Sequence, residues 1–162
     1  MLKKIYNEVT REWATSVEEA LKSFIRLPAL SPDFDKRWEE NGVLLKALEE
    51  ARAWVEKQGI KGLRCEIIKD KGFTPCLFVE VEATSDKKFE RSVFFYGHLD
   101  KQPPNEGWDP DKSAWEPVIQ NGRLYGRGAV DDGYAFYTSL AAVKALQTLG
   151  IPHPRCVGLF ET

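Results

Sequence analysis

The sequence predicts an α/β fold: a mixed, mostly covered sheet flanked by helices. Three observations carry this. Apolar residues recur at helical spacing over residues 4–26 and 36–58. Period-two alternation replaces that spacing over 63–67 and 77–83. Helical spacing then returns over 133–149, between strand-like runs on either side.

The first helix, 4–26, places Ile5, Val9, Trp13, Val17, Leu21, Phe24 and Ile25 on one face, and Pro28 stops it. A loop from Leu27 to Asp35 follows. Asp35 is placed to cap a second helix over 36–58, whose apolar face holds Val43, Leu44, Ala47, Leu48, Ala51, Trp54 and Val55. Gly59 ends it. Leu63, Cys65 and Ile67 alternate with Arg64 and Glu66 as a half-buried strand, and residues 77–83 repeat the pattern. Residues 84–90 are a polar turn. The unbroken apolar run over 92–96 predicts a strand covered on both faces. A long irregular loop over 103–111 leads into a small hairpin: Trp115–Ile119, a turn at Asn121-Gly122, then Arg123–Tyr125. The third helix, 133–149, buries Phe136, Leu140, Val143, Ala145 and Leu146, with Gly150 as its cap. Cys156–Phe160 is a final strand. There is no internal repeat or linker, so residues 1–162 are taken as one domain. The chain stops at the end of a strand with no helix to cover it, which predicts a truncated domain.

Composition narrows the function. The 162 residues are 43% hydrophobic and 30% charged, with a formal net charge of −2. That is a globular composition. It has no basic stripe for nucleic acid. No run approaches the roughly 18 apolar residues of a membrane span, and Glu8, Arg11 and Glu12 break up any leader-like start. The three cysteines, Cys65, Cys76 and Cys156, have no paired spacing. They predict buried thiols in a reducing cytoplasm.

Two segments carry the chemistry: Tyr96-Gly97-His98-Leu99-Asp100 and Gly126-Arg127-Gly128-Ala129-Val130-Asp131-Asp132-Gly133. His98 follows an apolar run and a glycine, so it emerges at the C-terminal edge of a strand, where open α/β sheets bind ligands. Asp100 shares its face at i+2. It can accept the imidazole proton and fix the tautomer, or simply cap the next turn. Asp131-Asp132 can be helix caps, or carboxylates projected into a cleft by a glycine-relaxed loop. The glycine string fails as a dinucleotide fingerprint, because Asp131 stands at its third glycine position. Mixed N/O donors of this kind suit zinc or a similar divalent ion. His153, between two prolines, reads as structural.

The segments Tyr96–Pro103, Gly107-Trp108, Trp115–Pro117 and Gly122–Gly133 resemble the M20 metallopeptidases, nearest to their dipeptidase branch, which includes cytosolic carnosine dipeptidases. The resemblance runs in order from about residue 20 to the end. It implies a catalytic domain with two divalent ions, Zn²⁺ first and Mn²⁺ or Co²⁺ as the alternatives. It implies His98 as a ligand of one metal, Asp100 as its catalytic-site partner, and Asp131 as the bridging carboxylate. A cis peptide joining Asp131 to a supporting Asp132 is also implied. Glu161-Thr162 resembles the start of a motif whose Glu-Glu pair supplies the general base and a further ligand. A lid domain, which in this family supports dimerisation and binds the substrate carboxylate, is expected to lie outside these 162 residues. The substrates implied are dipeptides, with N-acyl amino acids as the alternative and a short non-catalytic binding protein as a third reading. The parent is expected to be a homodimer. The isolated chain is expected to be inactive, with exposed apolar faces. Gly133-Tyr134 departs from the lysine that many relatives carry after the Asp pair, which leaves the subfamily and substrate open.

Overall fold

The protein was analysed as a computed structural model, which describes residues 1–84 and 91–162. The polar turn expected over 84–90 lies, beyond Thr84, outside the described residues. The first helix is three pieces on one axis: α1 (Leu2–Glu12), a π turn (Trp13–Val17) and α2 (Glu18–Arg26). The extra residue of the π turn turns Glu12 inward. It is buried there and paired with Lys144 at 2.6 Å and Arg11 at 2.9 Å. Equal helical spacing at Trp13 and Val17 conceals this register change in the sequence.

The expected second helix is broken. A single turn, α3 (Trp38–Asn41), ends at Gly42, and α4 runs from Val43 to Glu56. Gly42 takes φ +66, a left-handed conformation that interrupts the helix at low cost only in glycine. Asp35 does act at the start of this region, accepting from the Arg37 amide at 3.0 Å. Gly42 is the N-cap of α4, and Asn41 before it accepts with Oδ1 from the Val43 amide, the first of the helix, at 3.0 Å.

Six strands follow: β1 (Leu63–Ile68), β2 (Cys76–Val81), β3 (Val93–His98), the hairpin β4 (Val118–Gln120) and β5 (Arg123–Tyr125), and β6 (Cys156–Glu161). The main sheet has the order β1-β2-β6-β3. β1, β2 and β6 pair antiparallel, whereas β3 pairs parallel with β6. The long connection between β3 and β6 carries the hairpin and α5 (Tyr134–Thr148). The result is a mixed sheet flanked by helices.

One sheet face is sealed. Leu77, Val79, Val81, Cys156 and Phe160 meet Leu44, Leu48, Val55, Phe136 and Leu140 in a single core. Phe136 is fully buried, edge-on to Trp54, Tyr137 and Phe160 at centroid distances of 5.9, 5.1 and 5.0 Å. Such pairs add about 0.5–1.5 kcal/mol each beyond burial. β3 departs from expectation. It is an edge strand, and Phe94 and Tyr96 on its outer face are 62% and 57% exposed. An apolar run records a preference for burial, and on this strand only the face carrying Phe95 and Gly97 meets that preference. Of the cysteines, Cys156 is buried while Cys65 and Cys76 are half-buried, and all three are free thiols. No helix among the described residues is long and apolar enough to cross a membrane.

Candidate metal centre

His98 is the last residue of β3, and Glu161, the last of β6, lies beside it in register. The parallel pairing therefore brings two strand ends and their polar side chains to one edge. Asp100 follows His98 after the buried Leu99. Asp131 and Asp132 arrive from the other direction, on the turn that opens α5.

His98 Nδ1 lies 2.9 Å from Asp100 Oδ1, and Nε2 lies 3.1 Å from Asp131 Oδ1. A carboxylate can only accept, so Nδ1 carries a proton donated to Asp100. The second contact then needs either a proton on Nε2 or a cation between nitrogen and oxygen. Burial pulls the His98 pKa down, but the charges and hydrogen bonds of Asp100, with Asp131, outweigh it and hold it above the usual histidine value. A divalent ion can take the place of that proton. Two tetrahedral zinc ligands, each about 2.1 Å from the metal, stand about 3.4 Å apart, close to the 3.1 Å found. The donor pair thus fits one ion, with Asp100 fixing the tautomer that turns the Nε2 lone pair toward it. It is an incomplete ligand set: among the described residues no three His, Cys, Asp or Glu side chains converge as a metal cluster.

The neighbouring aspartates diverge. Asp131, at φ −112 and ψ 91, and Asp132, at φ −130 and ψ 19, are both non-helical, and the peptide between them is cis. Asp131 reaches outward to His98 Nε2. Asp132 folds back toward β3, where burial raises its pKa while the His98 charge and backbone amide oppose the rise. Its Oδ2 lies 2.8 Å from where a β-carbon on Gly97 would sit, so Gly97 makes room for it. Gly133, expected to loosen the loop, is in ordinary helical conformation (φ −51, ψ −35). Its need is steric: a β-carbon there would meet the Phe24 ring at 2.2 Å.

A cleft of about 350 Å³ opens beside the centre, lined by Ser31, Pro32, His98, Asp100, Glu161 and Thr162. Tyr96 donates its hydroxyl to Glu161 across the strand pair. A larger cleft, about 470 Å³, lies at the opposite end of the sheet by Lys61, Glu82 and Gln147. There Gln147 is committed to Lys61 and to His153, whose other nitrogen donates to the Pro154 carbonyl at 2.8 Å. His153 is structural. Sequence reasoning passed over Lys101, which is buried beside the centre. A lysine following an aspartate in a loop gives no sign of burial.

Residues 94–162 match the sequence pattern of Peptidase family M20/M25/M40. Over 67 residues the chain is 36% identical to the Cys-Gly metallodipeptidase dug1 of Schizosaccharomyces pombe, covering 40% of this chain and 14% of that protein. Over 51 residues it is 49% identical to the succinyl-diaminopimelate desuccinylase of Acidiphilium cryptum, covering 32% of this chain and 13% of that one. The fold superposes on the solved structure of the di-peptidase Dug1p from Saccharomyces cerevisiae with a TM-score of 0.76 at 20% identity. That superposition covers 99% of this chain and 34% of the other. The chain therefore spans about a third of that solved relative, and its sequence matches cover smaller shares of the curated ones.

Proposed function

We propose that this chain, whose residues 94–162 match the M20/M25/M40 peptidase pattern, belongs to that family and is the part of a metal-dependent catalytic domain that supplies His98 and Asp131 as ligands. The parent enzyme hydrolyses dipeptides. The observation that carries the reading is His98 held between two carboxylates at the strand edge. When bound, a pair of divalent ions lowers the pKa of a water and polarises the scissile carbonyl. Zn²⁺ suits the donor set best, and Mn²⁺ or Co²⁺ are the alternatives. Asp100 keeps the proton on Nδ1. Asp131, facing His98 Nε2, would hold metal through its carboxylate. Asp132 supports the strand end behind His98. None of these is a free general base, so the 162-residue chain is expected to be inactive by itself. The full protein is proposed to be a cytoplasmic homodimer. The desuccinylase likeness favours, as a second reading, an amidohydrolase acting on N-acyl amino acids.

The test is Zn²⁺ affinity by chelator competition. His98→Ala and Asp131→Asn are expected to lose about ten-fold or more. Binding indistinguishable from wild type in both would sink the metal reading. Dipeptide turnover by this chain above a His98→Ala control would sink the claim of inactivity.

A further inference from the structure

We propose that Lys101 is the positioning residue of this centre, one buried side chain that clamps the end of α2, the strand end carrying His98 and the glycine loop before Asp131 into a single arrangement. The inference rests on the metal-centre reading and adds to it a residue that touches neither metal nor substrate. Lys101 is 1% exposed. Its contacts are carbonyls: Nζ donates to Phe24, to Ile25 at 3.3 Å and to Leu27 at 2.6 Å. Phe24 and Ile25 lie in the last turn of α2, whose final carbonyls a helix cannot all satisfy internally, and Leu27 is its C-terminal cap. The carbonyls there carry the negative end of its dipole. Nζ also stands 3.9 Å from the centroid of the Phe24 ring and 5.6 Å from that of Trp115.

The rest of the residue ties in the other segments. The Lys101 carbonyl accepts from the Ser31 amide at 2.9 Å, fixing the loop that forms one wall of the cleft. Its stem fills the space beside Gly128. A β-carbon on Gly128 would meet Lys101 Cε at 2.8 Å. Gly128 in turn closes the turn around Asp131, its carbonyl accepting from the Gly133 amide at 3.0 Å. A three-residue lever therefore links Lys101 to His98, and a three-residue lever links Gly128 to Asp131. An apolar residue at 101 would fill much of the volume but remove the one side chain that joins all three carbonyls, leaving Phe24 and Leu27 with only the Leu27 and Ala29 amides. The helix end could then shift against both levers.

The two histidines supply an internal control, since His153 lies at the far end of the sheet. The experiment records the imidazole ¹⁵N and ¹H resonances of the metal-free protein, in wild type, Lys101→Met and Lys101→Arg. Lys101→Met is expected to move the His98 ring signals and leave those of His153 in place. General loosening would move both, and that outcome overturns the proposal, as does an unmoved His98. Should Lys101→Met not fold, Lys101→Arg is decisive. A guanidinium cannot take the place of Nζ at all three carbonyls, so a folded protein whose His98 signals move while those of His153 stay supports the clamp, and an unmoved His98 or movement of both overturns it. Zn²⁺ is then added to wild type and to the folded variant. The variant is expected to bind about ten-fold or more weakly, the scale of losing a supporting contact. If the wild-type His98 signals ignore Zn²⁺, the metal reading fails while the ring shifts still decide the role of Lys101.

Discussion

Replacing Gly133 with alanine sets two effects of opposite sign against each other, and the structure says which wins. Gly133 has helical dihedrals at the start of α5, so alanine should gain about 0.5–1 kcal/mol from backbone entropy. The added carbon, however, would lie 2.2 Å from Phe24 Cε1, 2.5 Å from Cδ1 and 2.8 Å from the Gly128 carbonyl oxygen. Phe24 is 1% exposed, packed against Tyr137 and capped by Lys101 Nζ, so the ring has nowhere to swing. Overpacking of this kind costs about 1–3 kcal/mol. The net expectation is a loss of about 1–2 kcal/mol, which lowers Tm by roughly 2–8 °C in a chain of this size. Circular dichroism melts of wild type, Gly133→Ala, Phe24→Leu and the double variant measure it. The smaller leucine should relieve the clash, so the double variant should be more stable than the sum of the single losses by about 0.5–3 kcal/mol. A Gly133→Ala protein as stable as wild type, or strict additivity with Phe24→Leu, would refute the reasoning.

Three further outcomes are expected. Phe136→Ala removes a fully buried ring from the Trp54–Tyr137–Phe160 cluster and should cost about 3–5 kcal/mol by denaturant titration; a loss under 1 kcal/mol would contradict that core. Histidine titration by NMR should place His98 above the usual value of about 6.5. With its folded pKa raised, the stability His98 contributes to the metal-free fold is full below that usual value and fades as pH rises through the folded one. Asp100→Asn removes the main opposing charge, leaves burial in control and should bring the His98 pKa down; an unchanged titration would mean Asp100 does not hold the ring. Burial pushes the Cys65 thiol up to about 12 and raises Cys76 and Cys156. Native protein at pH 8 should therefore react slowly with a disulfide reagent and all three thiols should react once unfolded, with fast native labelling of Cys65 counting against this.

Much of the fold was legible because burial writes itself into spacing. Alternation at Leu63, Cys65 and Ile67 located β1, and the 3.6-residue recurrence from Phe136 to Leu146 located α5 within a residue or two. The misreadings share a different cause. The π turn leaves Trp13 and Val17 at a spacing that an α-helix also allows, so the register change appears only when Glu12 is seen paired with Lys144. The break at Gly42 was hidden because the apolar pattern starts immediately after it. β3 read as doubly covered because side-chain composition cannot say whether a neighbouring layer exists. At the candidate site, i+2 spacing put His98 and Asp100 on one face, and the two side chains do meet, at 2.9 Å. Only long-range packing shows that Gly133 is required for the space it leaves and that Lys101 lies under the site.

The electrostatics of the strand edge give the proposed metal its physical rationale. Asp100 and Asp131 touch one imidazole, with Asp132 and Glu161 on the same strand edge, and negative charge held there is costly in a partly desolvated cleft. Hydrogen bonds offset part of it: His98 donates from Nδ1 to Asp100, and Tyr96 donates its hydroxyl to Glu161, a bond that raises the tyrosine pKa. His98 Nε2 and Asp131 Oδ1 face each other at 3.1 Å, and a divalent cation held between them would supply the positive charge that this edge lacks.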